Sequence, residues 1–171
     1  AFVDGQVVRV GTVSGLALTA ASDSAKPLAG KVALVTGASR GLGEAMARTL
    51  HRDGATIIGL DVPPLKEDLE RLMDELGGRA VLGDITSEDA PTTIAEALSE
   101  GVDFVIHNAG ITRDKRLKNM KSENWSKVVD VSVGGPERVT AHLLEKGLIR
   151  EGGRIIGISS IAGIAGNNGQ T

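Results

Sequence analysis

KVALVTGASRGLG, residues 31–43, is the stretch that decides the fold. Five apolar or β-prone residues, 32–36, run directly into a turn that contains Gly37, Gly41 and Gly43, and a helix-forming segment follows. A continuous apolar strand is typical of a parallel strand buried on both faces. Glycine lets the turn approach a ligand closely, and the unpaired N–H groups of a first helical turn attract anions. The order predicts a strand, a glycine-rich turn and a helix that bind a phosphate or diphosphate. A tight turn that needs glycine only for packing is the alternative.

The composition indicates an ordinary globular domain. The chain has 171 residues, a net charge of −3 and no cysteine, so neither a disulfide nor a thiolate metal site can form. The three histidines show no metal-ligand spacing, and we expect no metal. Mild acidity argues against nucleic acid as a partner. No apolar run approaches the ~20 residues of a membrane span, and the first residues show no charged-then-apolar pattern that would point to export. We therefore expect no membrane partner and a cytoplasmic location.

Strand and helix patterns alternate along most of the chain. After the first strand we predict strands at 55–60, 79–82, 103–107 and 154–158. Between them we predict helices at 42–52, 66–76, 87–98 and 122–146, the third capped by Ser87. Such alternation predicts parallel strands joined by right-handed crossovers. The fold class is therefore α/β, a doubly wound parallel sheet of the Rossmann type.

Three segments divide the chain. Residues 1–11 are predicted to form a turn and a short strand, and residues 12–27, rich in Ala, Ser, Thr and Gly, are predicted to be a linker. Residues 28–171 form the dinucleotide-binding domain. A closed domain of this type normally has more than five strands, so we expect its C-terminal part to lie outside this chain.

Small or acidic residues follow four of the predicted strands. In doubly wound sheets, ligands bind beyond the carboxyl ends of the strands, so these are the candidate cofactor-binding residues. They are Gly37, Ser39, Arg40, Gly41, Leu42 and Gly43 after the first strand, Asp61 after the second, Gly83, Asp84 and Ile85 after the third, and Asn108, Ala109 and Gly110 after the fourth. We expect the amides that follow Thr36 to hold the diphosphate.

Asp61 bears on the choice of dinucleotide. A carboxylate at the end of the second strand can accept hydrogen bonds from both ribose hydroxyls of an adenosine. It would also repel a 2′-phosphate, since two like charges ~4 Å apart cost on the order of 4 kcal/mol at an effective dielectric near 20. Arg40 in the glycine turn favours NADP instead, because a cation there could bind a 2′-phosphate. NAD is favoured over NADP; an ordinary strand-end turn residue is the alternative for Asp61.

Four motifs together carry a family resemblance. TGASRGLG at 36–43, DI at 84–85, NAG at 108–110 and ISS at 158–160 occur in the order and spacing of the classical short-chain dehydrogenase/reductase family. NAGITRD and GNNGQ, further along, are similar to segments of bacterial 3-oxoacyl-[acyl-carrier-protein] reductases. The resemblance implies reduction of a 3-oxoacyl thioester with a nicotinamide cofactor. It also implies that Asp84 contacts the adenine and that residues 108–110 line the nucleotide.

The resemblance extends to the start of the chain. VDGQVVRVG, residues 3–11, is similar to the closing strand of such a reductase domain. It suggests the high-molecular-weight branch of these reductases, in which a degenerate domain precedes the active one. The helix around residues 128–144 packs against a second copy in this family, so the resemblance also implies a homo-oligomer.

Ser160 is the first candidate catalytic residue. Reduction of a ketone places negative charge on the carbonyl oxygen, which requires a hydroxyl donor and a proton source. The resemblance assigns the donor role to Ser160, and the family's tyrosine and lysine would fall beyond Thr171. The alternative is that Ser159 and Ser160 only satisfy the end of the strand.

Ser132 is the second candidate, and it departs from the family, which usually has asparagine there. Pro136 lacks an N–H group, so the carbonyl of Ser132 loses its helical partner. We hypothesise that this carbonyl holds the water that the asparagine is associated with. A kink needed only for packing, helped by Gly134 and Gly135, is the alternative.

A basic run follows the fourth strand: Arg113, Lys115, Arg116, Lys118 and Lys121. It could receive an acidic acyl carrier protein or a cofactor phosphate, or it is only solvated surface. Two other functions stay open: a related dehydrogenase with a different alcohol or ketone, and a dinucleotide-binding module without catalysis.

Overall fold

The computed structural model describes residues 25–166, apart from the side chain of Ile164. Its strands are β1 Val32–Thr36, β2 Thr56–Asp61, β3 Arg79–Leu82, β4 Val102–His107 and β5 Ile149–Gly157. Its helices are α1 Gly41–Arg52, α2 Lys66–Leu76, α3 Ala90–Ala97, α4 Ser122–Val129, α5 Gly135–Glu145 and α6 Ile161–Ala165. No helix in this range is long and apolar enough to cross a membrane. The strand predicted within residues 1–11 and most of the linker lie outside the described residues.

The five strands form one parallel sheet in the order β3-β2-β1-β4-β5. This confirms the predicted α/β class with a doubly wound sheet. The chain builds outward from β1 to β3, then returns to the other side of β1 for β4 and β5. The strand order therefore reverses between β1 and β4, and ligands of such sheets bind at that reversal.

Two apolar layers cover the sheet because β1, β2 and β4 carry apolar side chains on both faces. On one face, Ala33 and Val35 pack with the buried residues of α1 and α2. On the other face, Leu34 and Val105 pack with buried residues of α3 and α5. Residues 33–36 are 0% exposed, as expected for a strand enclosed by helices. The point between β1 and β4 where the strand order reverses, the switch point, thus lies on the best-buried part of the sheet.

Two strand or helix starts differ from prediction by three residues or more, those of α3 and β5. Ser87 does not cap α3, because its hydroxyl donates to the carbonyl of Asp84 and the helix begins at Ala90. β5 begins at Ile149, before the predicted start at 154, and an irregular register toward β4 separates its two halves. Both differences reflect local hydrogen bonds and strand pairing that an apolar pattern does not encode.

The predicted long helix 122–146 is interrupted by a π-helical turn, Asp130–Gly134, between α4 and α5. Pro136 cannot donate to an earlier carbonyl, and the wide turn instead pairs the N–H of Gly135 with the carbonyl of Asp130. A Cβ on Gly135 would lie 2.7 Å from the carbonyl oxygen of Ile85. The glycine therefore lets this helix approach the loop after β3.

Asp103 joins three strands at the edge of the sheet opposite the switch point. Its carboxylate accepts from the backbone of Val32 at 2.9 Å, from Lys31 Nζ at 3.0 Å and from Arg150 Nη1 at 2.7 Å. Burial by itself would raise the pKa of Asp103, but these hydrogen bonds hold it below the ordinary value. Asp103 thus anchors the start of β5 to β1 and β4.

Candidate functional site

A cavity of about 720 Å³ opens at the carboxyl edge of the sheet, at the reversal between β1 and β4. Every predicted cofactor-binding residue lines it except Ser39. The predicted residues on its wall are Gly37, Arg40, Gly41, Leu42, Gly43, Asp61, Gly83, Asp84, Ile85, Asn108, Ala109 and Gly110. The fold thus brings together four segments that are far apart in sequence.

Thr36 and Asn108 fasten the glycine turn to the end of β4. The hydroxyl of Thr36 accepts from the backbone N–H groups of Asn108 and Ala109, both at 3.0 Å. The side-chain amide of Asn108 donates to the carbonyls of Thr36 and Gly37. The turn and the segment after β4 are therefore one rigid unit at the switch point.

Two glycines make this close packing feasible. A Cβ on Gly43 would lie 1.9 Å from the carbonyl oxygen of Gly37, and one on Gly37 would lie 3.0 Å from the Cα of Ala109. Gly37 also has a φ of +67°, which favours glycine. Here the glycines serve backbone-to-backbone contact as well as exposure to a ligand.

The backbone hydrogen bonds limit which N–H groups of the glycine turn can bind an anion. The N–H groups of Gly37 and Ala38 both donate to the carbonyl of Leu60, and that of Ser39 donates to Asp61. By contrast, residues 40–43 line the cavity, and N–H groups in the first turn of a helix have no partner within it. A diphosphate would therefore be held by amides from Arg40 onward.

Asp61 is buried at the end of β2 and is bound by the glycine turn. Its Oδ2 accepts from both the N–H and the hydroxyl of Ser39, and its Oδ1 accepts from the N–H of Val62 at 2.9 Å. Ser39 is 2% exposed and is absent from the cavity wall. The structure therefore places Ser39 beside the carboxylate, with Asp61 between it and any ligand.

Asp84 shapes the loop after β3. Its Oδ1 accepts from both the N–H and the hydroxyl of Thr86. Arg138 on α5 donates to the carbonyl of Thr86 at 3.3 Å and forms an ion pair with Asp130 at 2.9 Å. The loop is thus tied to the π-helical turn, and Asp84 keeps its place on the cavity wall.

Sequence reasoning missed one wall of the cavity. Lys127, Asp130 and Val131, from α4 and the π-helical turn, also line it, as does Thr86. These residues carry no motif, because they reach the cavity only through the path of the interrupted helix. Arg113, from the predicted basic run, lies on the wall as well.

His107, the last residue of β4, is a buried polar group that the sequence did not single out. Its Nε2 lies 2.9 Å from the hydroxyl of Thr140, and its Nδ1 has no hydrogen-bond partner among the described residues. Burial lowers the pKa of His107 below its ordinary value. The side chain is therefore held in its neutral form between β4 and α5.

The two candidate catalytic serines lie outside the cavity wall. Ser160 follows β5, is exposed and caps α6, where its Oγ accepts from the N–H of Ala162 at 3.2 Å. Accepting this bond leaves the hydroxyl hydrogen available for donation. Ser132 is exposed on the π-helical turn. The structure does not bring the two serines into contact with the glycine turn.

The wall offers chemistry for both halves of a dinucleotide. Three cations, Arg40, Arg113 and Lys127, and three carboxylates, Asp61, Asp84 and Asp130, line it. Cations and helix-end amides suit phosphates, whereas carboxylates suit ribose hydroxyls and base amines. Among residues 25–166, no group of three or more potential metal ligands comes together.

Comparison with known proteins identifies the class. The family model described as short chain dehydrogenase matches residues 31–171, and the chain belongs to that family. Membership implies a nicotinamide dinucleotide as cofactor. The glycine turn and Asp61 fit such a dinucleotide. Amides from Arg40 onward would hold its diphosphate, and Asp61 would bind a ribose.

Individual relatives are similar over most of this chain. Nodulation protein G of Rhizobium sp. (strain N33) is 44% identical over 149 residues, which cover 84% of this chain and 60% of that protein. The 3-oxoacyl-[acyl-carrier-protein] reductase FabG of Vibrio cholerae is 37% identical, with 84% and 60% covered. The enzyme of the same name from Escherichia coli (strain K12) is 36% identical, with 82% and 59% covered. The chain therefore spans about three fifths of the length of these relatives.

Proposed function

We propose that the whole protein reduces a 3-oxoacyl thioester to its 3-hydroxyacyl form with NADH, and that residues 28–171 contribute the dinucleotide-binding part. The observation that carries this proposal is the single cavity at the β1/β4 reversal, where the glycine turn, Asp61 and Asn108 converge. The substrate class is supported by relatives that are named 3-oxoacyl-[acyl-carrier-protein] reductases.

The buried carboxylate of Asp61 supports NADH over NADPH. It lies on the cavity wall and is held in place by three hydrogen bonds. A 2′-phosphate next to it would bring like charges together in a poorly hydrated place, where repulsion is strong. Arg40 is exposed, so its side chain can extend into water. We therefore assign NADH as the preferred reductant.

Ser160 would stabilise the charge that develops during reduction. Amides from Arg40 onward and Asp61 would hold the dinucleotide, whose reduced nicotinamide would supply the hydride for the carbonyl carbon, so that a C–H bond replaces the C=O π bond and its electron pair passes to oxygen. The hydroxyl of Ser160 would donate to that oxygen. This hydrogen bond would be strongest in the transition state, where negative charge develops on the oxygen. A proton, from the tyrosine that the family resemblance implies, completes the alcohol.

The test is Ser160→Ala in the whole protein, with a 3-oxoacyl group on an acyl carrier protein as substrate. We choose this substrate because the exposed cations Arg113, Arg116 and Lys118 would attract an acidic carrier. We expect kcat to fall ~10²–10³-fold with an unchanged KM for NADH.

Ser159→Ala is the matched control, because Ser159 is an exposed neighbour on the same segment. It should keep kcat within about twofold, since a hydroxyl that touches no reacting atom adds nothing to the transition state. A normal kcat in the Ser160 variant would contradict the assigned role.

A dinucleotide-binding module without catalysis is the second candidate function. It is favoured by one observation: neither Ser160 nor Ser132 lies on the cavity wall. The same assay separates the two functions, because a sensor would bind NADH and turn over no ketone. Turnover of small ketones but not of 3-oxoacyl thioesters would instead indicate a dehydrogenase with another substrate.

We also propose that the protein is a homo-oligomer. The surface of α4, the π-helical turn and α5 exposes Trp125, Val129, Val133 and Leu144. Large apolar side chains grouped on one helical segment are typical of an interface. Light scattering of the whole protein should therefore give a mass that is a multiple of one chain.

A further inference from the structure

Ser39 and Asp61 form a buried polar contact at the cavity, although 22 positions separate them. The hydroxyl of Ser39 donates to Oδ2 of Asp61 at 2.5 Å, and its N–H donates to the same oxygen at 3.0 Å. Ser39 is 2% exposed and Asp61 is 8% exposed. Water therefore competes little for either bond.

The acceptor positions of the carboxylate can be counted. An ionised carboxylate offers about four lone-pair positions, two on each oxygen. Ser39 fills both positions on Oδ2, and the N–H of Val62 fills one on Oδ1. One acceptor position on Oδ1 is left for a ligand in the cavity.

We propose that Ser39 is a positioning residue that sets the coenzyme preference of this protein: by fixing Oδ2 of Asp61, it presents Oδ1 alone to one ribose hydroxyl of the adenosine. The inference rests on the proposed NADH site and deepens it. It differs from the expectation drawn from sequence, in which both ribose hydroxyls bind the carboxylate.

The position of Ser39 explains why it acts through Asp61. Asp61 lies on the cavity wall and Ser39 does not. The two residues before Ser39, Gly37 and Ala38, donate their N–H groups to the carbonyl of Leu60, next to Asp61. The glycine turn and the end of β2 are therefore joined by backbone bonds, and the Ser39 hydroxyl adds the bond that orients the carboxylate.

Fixing the carboxylate before the ligand arrives has two consequences. It removes the entropy loss of ordering that side chain on binding, which favours NADH. It also prevents the charge from turning away from a 2′-phosphate, which disfavours NADPH. Loss of the hydroxyl should therefore weaken NADH binding and relax discrimination against NADPH.

The first experiment titrates NADH and NADPH against the whole protein and its Ser39→Ala variant, by nucleotide fluorescence. We expect the Kd for NADH to rise about tenfold, because the Asp61 carboxylate must then be ordered on binding. The Kd for NADPH should change less than twofold. Thr49→Ala is the matched control, because the Thr49 hydroxyl donates only to the carbonyl of Ala45 on α1, and it should leave both constants unchanged.

The second experiment repeats the substitution in an Asp61→Ala background. If Ser39 acts through Asp61, its removal there should cause no further loss of NADH affinity, so the double-mutant cycle is strongly non-additive. Ser39→Thr, which keeps the hydroxyl, should restore much of the NADH preference. Ser39→Cys replaces the alanine variant if the latter unfolds, because it keeps the size and supplies a weaker donor.

Three results would overturn the proposal in distinguishable ways. An unchanged NADH to NADPH ratio in Ser39→Ala would show that the hydroxyl does not set preference. Equal losses with and without Asp61 would show that Ser39 acts independently of the carboxylate. A wild-type protein that binds neither nucleotide would remove the proposed function as well, whereas the first two results leave it standing.

Discussion

The glycine turn and the carboxyl end of β5 lie at the same edge of one sheet, and they differ in how much protein surrounds them. The strand that leads into the turn is buried, and Asp61 and Asn108 hold the turn through hydrogen bonds from two other segments, the end of β2 and the residues after β4. At the end of β5, Ile155 and Ile156 are 45% and 40% exposed. Successive side chains of a strand point to opposite faces, so within residues 25–166 neither face of β5 is covered here.

Because of this difference, the proposed binding of the dinucleotide and the proposed catalytic role of Ser160 depend on regions with different packing. The geometry of the proposed dinucleotide site is set by contacts within residues 25–166. Ser160 lies on an exposed segment, and among residues 25–166 its hydroxyl makes one hydrogen bond, the local cap to the N–H of Ala162. Binding and chemistry are therefore expected to respond differently to substitutions on the two sides.

The largest expected effect comes from adding one methyl group in the tightly packed glycine turn. In Gly43→Ala the new Cβ would lie 1.9 Å from the carbonyl oxygen of Gly37, so the turn must move. We expect a loss of about 3 kcal/mol in the free energy of unfolding, together with loss of NADH binding. Urea unfolding and nucleotide titration measure the two effects.

Gly157→Ala is the matched variant at the end of β5, since its Cβ would meet nothing within 4 Å in the part of the chain that the structure describes. It should change the free energy of unfolding by no more than about 0.5 kcal/mol. Similar losses of unfolding free energy in the two variants would show that the glycine turn and the end of β5 do not differ in how closely they are packed.

A smaller effect is expected where β5 is anchored. Asp103→Asn removes the charge that Lys31 and Arg150 share, and it should lower the free energy of unfolding by about 2 kcal/mol at pH 7. The folded pKa of Asp103 lies below the unfolded value of about 3.9. Its contribution is therefore fully present above about pH 4 and is lost as the pH falls through the folded pKa.

The measurement is urea unfolding of wild type and variant from pH 7 downward. The difference between them should shrink below about pH 4. Asp68→Asn serves as control, because its partner Arg71 is an exposed neighbour on α2 and exposed pairs contribute little. A constant difference at all pH values would show that the Asp103 charge is not what anchors β5.

The smallest effect is expected at His107, on the strand between the two regions. Its folded pKa is lowered by burial from an unfolded value of about 6.5. The stabilising effect of the neutral form is therefore complete above about pH 6.5. Below it, stability falls by up to about 1.4 kcal/mol per pH unit until the folded pKa is reached.

His107→Gln, which can still bond to Thr140, should remove this slope between pH 7 and pH 5 in urea unfolding. His51→Gln is the control, because His51 is exposed on α1. Parallel curves for wild type and the His107 variant would mean that water reaches this histidine, and that β4 shares the open character of β5.

Much of the fold followed from local patterns. β1 was predicted with its observed bounds, because five apolar or β-branched residues between a lysine and a glycine leave few alternatives. The predicted bounds of α2 were also observed, since its apolar residues repeat at helical spacing. Helix α3 was misplaced by three residues, because a hydroxyl before a helix can bond elsewhere, as Ser87 does.

The site was predicted residue by residue but not as a set of contacts. The wall formed by Lys127, Asp130 and Val131 was missed, because it depends on a π-helical turn and on Gly135 against Ile85. Ser39 is among the predicted cofactor-binding residues, and the structure shows its hydroxyl donating to Asp61. That pairing is long-range, and no periodicity of the sequence encodes it.

The sequence by itself determined the class of fold, the glycine turn and the residues at the ends of the strands, because strand burial and glycine backbone freedom are properties of short segments. The tertiary structure alone shows which amides of the turn are already bonded within the protein and which oxygen of Asp61 keeps an acceptor position. The physical reason is that each polar group has few hydrogen-bonding positions, and residues far away in sequence occupy some of them first.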